Sequence, residues 1–585
     1  GRFSISVPNA NATLVFSYVG FADQEFALRG RGTVDIQMEE EEARKLNEVI
    51  VVGYGTQRKA TNTGSVSSIR GKEIVQSPAT NVSNSLVGRL PGLVAIQPSG
   101  EPGYDGSTLR IRGANTLNDN SVLVVIDGVA GRSLERIDPN SIETVTILKD
   151  ASAAIYGSQA ANGVILITTK RGRIGKPEIS VNLSGGYTQP TRLPKMADAA
   201  TYATMMNEIA EYRGTASIYS PDDIQKFKDG SDPWKHPNTD WFRETLKPRS
   251  AQNSGNITIS GGAEALRYFV SLGAKTQEGD YYHSATRYNQ YDFRSNLDGK
   301  ISKNINIAFD IAGRMEDRNF PTRGAGAIFR MVQRGKPTLP AYWPNGMPGP
   351  DIEYGDNPVV VSTDATGYDK DKNYVLNSNL KLNINIPWVK GLSLSGNAAI
   401  DKGLDFRKTW YTPWYLYTWD YTTLDANGQP DLVKGKRGYD DARLNQYSSD
   451  ALTTTLYGLV NYETKIAQDH SVKALFGVET RRGDGEYFSA FRRYFVSSTI
   501  DQLFAGGSAE KDNFGSGFIS RRMSYFGRVN YAFQDKYLAE FVWRDDGSYI
   551  FPENKRFGFF PGISAGWRIS EENFWKNSVK FIDNF

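Results

Sequence analysis

An all-β transmembrane barrel preceded by an α+β domain is the fold class this sequence predicts, and three observations carry the barrel. The first is composition: 585 residues with 57 Gly, 31 Tyr, 29 Phe and 10 Trp but only 39% hydrophobic residues, which suits strands that show one apolar face. The second is alternation. Tyr525, Gly527, Val529, Tyr531 and Phe533 alternate with polar or small residues, and after the turn QDK the series Tyr537, Ala539, Phe541 and Trp543 does the same. The third is that the longest apolar runs, such as VLVVI at Val122 and VILI at Val164, fall far short of the roughly 20 residues a membrane helix needs. A chain of this kind that crosses a membrane does so as a barrel.

Charge and reactive side chains exclude several classes. A net charge of +3 with mixed signs gives no clustered basic face for nucleic acid. No Cys is present, so disulfides, thiolate nucleophiles and Cys-ligated zinc are absent. The three His, at 236, 283 and 470, are too scattered for a metal or triad spacing, and neither GxSxG nor HExxH occurs. Paired carboxylates stay available in a chain with 65 Asp and Glu, yet the reading is a non-enzyme without cofactor or metal.

Along the chain, residues 1–38 carry short alternating strands (RFSISV, TLVFSYVG) like the latter half of a small β-sandwich, so the chain as given is expected to be mature and incomplete at its start. EEEEARK, Glu39 to Lys45, then reads as a solvated linker. LNEVIVVGYG follows, an apolar strand running into Gly-x-Gly. A dinucleotide-binding loop would need a third glycine where Arg58 stands, and a helix where ATNTGSVSSI reads as loop and strand. From Ser65 to Lys170 the texture is α+β: a short capped helix over Asn81 to Gly92, strands LRIRG and VLVVIDG, a turn or helix opened by Pro139 and Asn140, and the strand GVILITTKRG.

Beyond Lys170 about 12 strands are expected. Short turns lie near Gly262 to Glu264, Ser302 to Asn304, Val389 to Gly391, Gln468 to His470 and at QDK, and the longest connections are Pro190 to Gln252, Asn319 to Lys372 and Lys402 to Ser449. Short turns on one side and long loops on the other are the asymmetry of membrane barrels, and Tyr537, Trp543, Phe559 and Trp567 sit where an interfacial aromatic girdle would be. WYTPWYLYTWDY, Trp410 to Tyr421, reads first as a loop core folded on itself, with a sugar-stacking platform or partner surface as alternatives. STDATGYDKDKN near Asp364 lacks the spacing of a calcium loop.

These residues resemble the SusC/RagA family of TonB-dependent outer-membrane transporters. The marks are LNEVIVVGYG at Leu46, LVGRLPGL at Leu86, RIRG at Arg110, VVIDGV at Val124, the block from Ile142 to Gly172, LRYFVSLG at Leu266, the helical MMNEIAEY, and DGSYIFPENKRFGFFPGISAGWRISEE at Asp546. The ASAAIYG segment is one small residue shorter than the family's usual form, which puts its register in doubt. The family's plugged barrels have 22 strands, so about 12 here implies that the rest of the barrel lies on further polypeptide. The resemblance divides the chain into a partial carboxypeptidase-regulatory-like extension (1–42), a linker with the Ton box (43–58), the plug (59–172) and the first part of the barrel with long extracellular loops (173–585).

What the resemblance implies is active import of an oligomeric nutrient, glycan or oligopeptide, across the outer membrane of a Gram-negative bacterium. The implied partners are a TonB-type energy coupler, a SusD-like surface lipoprotein acting as lid, the lipid bilayer and the substrate, with dimers of transporter–lipoprotein pairs as one assembly. An iron-chelate (siderophore) receptor and a non-transporting surface binding protein are the alternatives, and a Ton box argues against the latter. The Ton box corresponds to Asn47, Glu48, Val49, Ile50, Val51, Val52 and Gly53, an extended apolar peptide able to add to a partner sheet. Outward plug loops would present Tyr104, Asn115, Asn118, Asp119 and Arg132 to substrate. Strand parity turns Glu479 and Glu540 into the lumen, and the resemblance pairs them with Arg112 and Lys149 as a latch between plug and barrel.

Overall fold

The computed structural model describes residues 4–7, 9–10, 12–16, 24–38, 49–114 and 119–578. Its largest element is a 12-stranded antiparallel sheet in which each strand pairs with the next, from Gly175–Thr188 to Phe557–Trp567. The expected strand number is met. Turns are short on one side, for example between Ile466 and His470 and between Phe533 and Tyr537, and long connections lie on the other.

Side-chain polarity along these strands is the reverse of a soluble sheet. Val529, Tyr531 and Phe541 point outward and are 38–43% exposed, while Arg528, Glu540 and Arg544 point inward and are at most 8% exposed. Apolar-out and charged-in is what a hydrocarbon surround selects. Tyr537 stacks on Trp567 at 6.4 Å and Trp543 on Phe559 at 6.3 Å, all on the outer face at the positions expected of a girdle.

Several strands outrun the membrane. Leu392–Tyr411 has 20 residues, and Arg443–Ile466 and His470–Arg493 have 24 each, where about 9–11 suffice to cross. The loops expected over Asn319 to Lys372 and Lys402 to Ser449 are therefore shorter, running from Phe320 to Gly367 and from Tyr411 to Arg443. The extra length is stabilised by cross-strand charge pairs such as Arg407–Asp369 and Lys402–Asp450, which alternation counted on apolar residues does not register.

The outer loops fold on one another. Trp414, Leu416, Trp241, Ile328 and Val361 form one buried cluster, and Trp343 meets Trp234 at 5.8 Å and Trp419 at 6.3 Å. Trp410, 3% exposed, packs edge-on against Phe495 at 4.6 Å. Of the three readings of the Trp410 to Tyr421 stretch, the loop core is the one these burials support. The MMNEIAEY region is helical over Ala199–Tyr212, opened by the Asp198 side chain accepting from Thr201 N–H at 2.7 Å.

Inside the sheet's curve sits the plug. Its five-stranded sheet has the order Val66–Arg70, Ile142–Leu148, Val164–Thr169, Leu123–Ile126, Val129–Ala130, with the 142–148 and 164–169 strands antiparallel and the 123–126 strand parallel to 164–169. Ile74, Val82, Leu86, Ile142, Val145, Ile147 and Ile165, all fully buried, form its core. The helix expected over Asn81 to Gly92 is shorter, Val82–Ser85, capped by the Asn81 side chain at 3.0 Å from Ser83 N–H; Gly88 and Gly92, both at positive φ, turn the chain instead of extending the helix. Near the N-terminus Thr13–Phe16 and Gln24–Ala27 form a separate hairpin.

Candidate functional site

The described part of LNEVIVVGYG, from Val49 onward, lies between plug and barrel wall. Among the described residues Val49–Val52 pairs antiparallel with Gly55–Arg58 and with no other strand, so it is half of a hairpin and not an unpaired peptide. Asn47 and Glu48 lie outside the described residues. Ile50 and Val52 are 4% and 3% exposed. Gly53 is required by this packing: a Cβ there would lie 2.3 Å from Ile155 Cγ2.

At the hairpin turn Tyr54, in the left-handed region at φ 57°, swings its ring into the junction. It lies 4.4 Å from Phe526 and stacks on Tyr156 at 5.3 Å. Its hydroxyl donates to Glu479 Oε2 at 2.6 Å and accepts from Arg544 Nη1 at 3.2 Å. Burial foremost, and then the Glu479 carboxylate, hold the phenol well above its usual pKa, so Tyr54 acts as a donor at physiological pH. Arg544, 1% exposed, also donates to Glu479 Oε1 at 2.8 Å, to Ile155 O at 3.0 Å and to Asp546 Oδ1 at 2.6 Å. Asp546 in turn accepts from Ser158 N–H at 3.0 Å. One arginine on the wall therefore ties together the hairpin turn, a wall carboxylate and the plug segment Asp150–Ala160. Gly157 in that segment sits at φ +65°, and a Cβ there would lie 2.0 Å from Asp546, so the short ASAAIYG register is built around this clamp.

The expected latch needs correction on its plug side. Glu479 and Glu540 do face inward, but they bind the hairpin that precedes the plug, at Tyr54 and at Gln57, whose Nε2 donates to Glu540 at 3.1 Å. Arg112, at φ 59°, pairs with exposed Asp150 within the plug, and Lys149 donates to Ser67 Oγ at 3.0 Å and to Pro91 O. Parity fixes which wall side chains face in; it says nothing of which plug residue meets them.

The opposite side of the plug is held by ion pairs. Arg136 meets Asp105 at 3.0 Å and Glu316 at 3.7 Å, with all three side chains at most 5% exposed. Arg171 bridges Asp298 at 2.9 Å and Asp310 at 2.7 Å. Arg132 grips Asp401 through Nη2 at 2.7 Å and Nε at 3.1 Å, and is 7% exposed. This corrects its expected role: Arg132 is a bolt between plug and wall, not a substrate-facing side chain.

Of the other outward residues, Tyr104 is 48% exposed, stacks on Phe320 at 5.0 Å and lies beneath Arg318 at 5.4 Å. Asp119 caps Ser121 N–H at 2.8 Å on the exposed plug surface. Asn115 and Asn118 lie outside the described residues. Beside Tyr104, Glu101 has its pKa pushed up to about 7 by burial. Sequence reasoning passed over Tyr54, Gln57 and Arg544 as site residues; the one available signal was that Arg544 falls on the inward parity of a lipid-facing strand.

Residues 58–164 match the TonB-dependent Receptor Plug Domain family. The chain is 31% identical to TonB-dependent receptor P26 of Formosa agariphila over 99% of its own length and 56% of that protein, and 27% identical to TonB-dependent receptor SusC of Bacteroides thetaiotaomicron over 99% and 56%. It spans about half the length of these relatives. Among solved structures, the RagAB peptide importer in its open-open state superposes with a TM-score of 0.73 at 21% identity, covering 90% of this chain and 59% of that one. With its plug domain, its charged-in barrel wall and a likeness to SusC that runs its whole length, the chain belongs to the SusC/RagA type of TonB-dependent outer-membrane receptors.

Proposed function

We propose that this chain supplies the plug and part of the wall of an importer that takes up an oligomeric nutrient, a glycan or oligopeptide, driven by a TonB-type coupler. The observation that carries the reading is the Val49–Val52 strand. Among the described residues it is bonded on one edge only, by the Gly55–Arg58 strand, so a coupler sheet can add to its other edge or replace its partner. Its turn residue Tyr54 is bonded to the plug–wall junction, so tension on the strand reaches the plug. A surface adhesin has no use for such a connection.

In the same reading, a SusD-like lipoprotein covers the folded outer loops, Tyr104 and Asp119 with Asn115 and Asn118 contribute to substrate contact, and a 22-stranded barrel closes around the plug. The same reading divides the chain into an extension (1–42), a linker with the Ton box (43–58), a plug (59–172) and the first part of the barrel (173–585). A peptide substrate is supported by the likeness to a peptide importer; glycan is the other candidate class. Deleting Asn47 to Val52 should abolish uptake while leaving substrate binding intact, and uptake that continues would reject the reading. Growth on defined peptide or glycan polymers, with a ferric chelate as control, then separates the substrate classes.

A further inference from the structure

We propose that Tyr54 is the release pin of the plug: the positioning residue whose bonds to Glu479 and Arg544 must break before tension on the Val49–Val52 strand can move the plug. The proposal rests on the import reading and adds to it the order in which bonds yield. In the hairpin, Val49 lies opposite Arg58 and Val52 opposite Gly55. A pull from the N-terminal side loads this ladder from its open end, one bond pair at a time, which is the weak direction for a two-stranded ribbon. Peeling stops at the turn. There the next residue is Tyr54, and it is not held by a backbone ladder.

Tyr54 is held by the wall and by the plug at once. Its hydroxyl donates to the Glu479 carboxylate at 2.6 Å, a charge-assisted bond, and accepts from Arg544 at 3.2 Å. Its ring packs between Phe526, Tyr156 and the edge of Tyr457, at 4.4 to 5.4 Å. Because Arg544 also holds Ile155 O, and its partner Asp546 holds Ser158 N–H, withdrawal of Tyr54 leaves Arg544 and Glu479 with one partner fewer, at the point where the wall grips the plug segment Asp150–Ala160. Withdrawal also opens a cavity. Val51, Val52, Tyr54 and Gly55 form one wall of a 250 Å³ space whose other walls are the plug strands near Asp127 and Leu166 and the barrel side chains Lys381, Asn383 and Asn461. The far side of that space is polar, so water can fill it once the hairpin leaves.

The absence of Cys allows a direct test in intact cells. Val51→Cys, half-buried on the strand, is labelled with a maleimide in three backgrounds: the parent, Tyr54→Phe, which keeps the ring and loses the hydroxyl, and Glu479→Gln. Ala95→Cys, in the plug far from the hairpin, reports whether the plug as a whole stays seated. The expected result is a rise of about tenfold or more in labelling at residue 51 in both variants, the factor for losing one charge-assisted bond from a local opening equilibrium, with residue 95 unchanged. Combining both substitutions should add little beyond Tyr54→Phe, since both act on one bond, the first by removing its donor and the second by removing the acceptor's charge. Unchanged labelling at residue 51 in Tyr54→Phe overturns the pin, as does an equal rise at both positions, which would make Tyr54 a residue of general plug stability. The labelling needs no transport, so it can fail while deletion of Asn47 to Val52 still abolishes uptake; the reverse combination would leave the pin standing and remove the import reading.

Discussion

The plug meets the barrel wall on two sides that are built on different physics. Toward the strands between Ser250 and Tyr411 it is bolted by Arg136, Arg171 and Arg132 to Glu316, Asp298, Asp310 and Asp401. Toward the strands between Arg443 and Trp567 it rests on an apolar seat in which Leu148, Ile155, Tyr156, Val164 and Leu166 meet Leu459, Leu475, Phe526 and Val542, with Arg544 and Arg528 as buried wall cations beside it. Ion pairs exchange for water at modest net cost when both partners can hydrate. Apolar contacts do not, so a seat of that kind has to stay covered. The Val49–Arg58 hairpin lies on the apolar side. It is the cover, and moving it exposes surface that favours its return.

Breaking the apolar side at Arg544 should have the largest effect. Arg544→Met leaves Glu479 and Asp546 buried without their cation and should destabilise plug seating by about 3–5 kcal/mol, read as thermal unfolding or proteolysis of the plug; Glu479→Gln in the same chain should recover part of it. Next, Phe526→Ala removes a fully buried ring against Tyr54 and Arg544 and should cost about 3 kcal/mol. On the ion-paired side, Arg132→Met should cost about 2 kcal/mol, because Asp401 keeps a bond from Asn377 at 2.9 Å and some access to water. If Arg132→Met costs more than Arg544→Met, the distinction between the two sides is wrong.

A fourth prediction sharpens the comparison by pH. An unfolded Glu loses its proton near pH 4.3, whereas Glu101 in place keeps its proton to about pH 7. A raised carboxyl pKa means that the folded loop favours the neutral acid. Its seating is therefore strongest at low pH and weakens as pH rises from about 4.3 through 7, where a charge must be buried. Glu101→Gln should leave the melting temperature unchanged near pH 4 and raise stability above pH 7, by of order 1–2 kcal/mol after allowing for partial solvent access. The smallest effect belongs to the rim: Arg58→Ala removes an ion pair to Asp535 whose side chains are 52% and 39% exposed, and should change stability by less than about 0.5 kcal/mol.

Much of the architecture was legible because it is local. Alternation in SYFGRVNYAF and YLAEFVW announces strands, their parity turns Glu540 and Arg544 inward, and short turn residues such as QDK set which connections are tight. The coupling strand was legible as an extended apolar peptide, but its hairpin partner was not, since GTQR carries no strand signal beyond its neighbour's need for one. The latch was misassigned for a related reason. Arg112 and Lys149 are the obvious plug cations near the relevant motifs, yet Arg112 meets Asp150, a carboxylate of another plug segment, and Lys149 meets Ser67 and Pro91, so both are satisfied inside the plug. Arg132 reads as a loop residue because nothing near it in sequence hints at Asp401, 269 positions away.

By itself the sequence determined the strand period, the inward and outward faces and the extended apolar strand at Val49–Val52, since each follows from side-chain spacing within a few residues. Only the tertiary structure decided which groups meet across the plug–wall junction. Tyr54 and Arg544 stand 490 positions apart, and no local pattern encodes a contact made by closing a sheet around a separately folded unit. The physical reason is that burial forces every inward charge to find some partner, while the choice among partners is made by the geometry of the curved sheet.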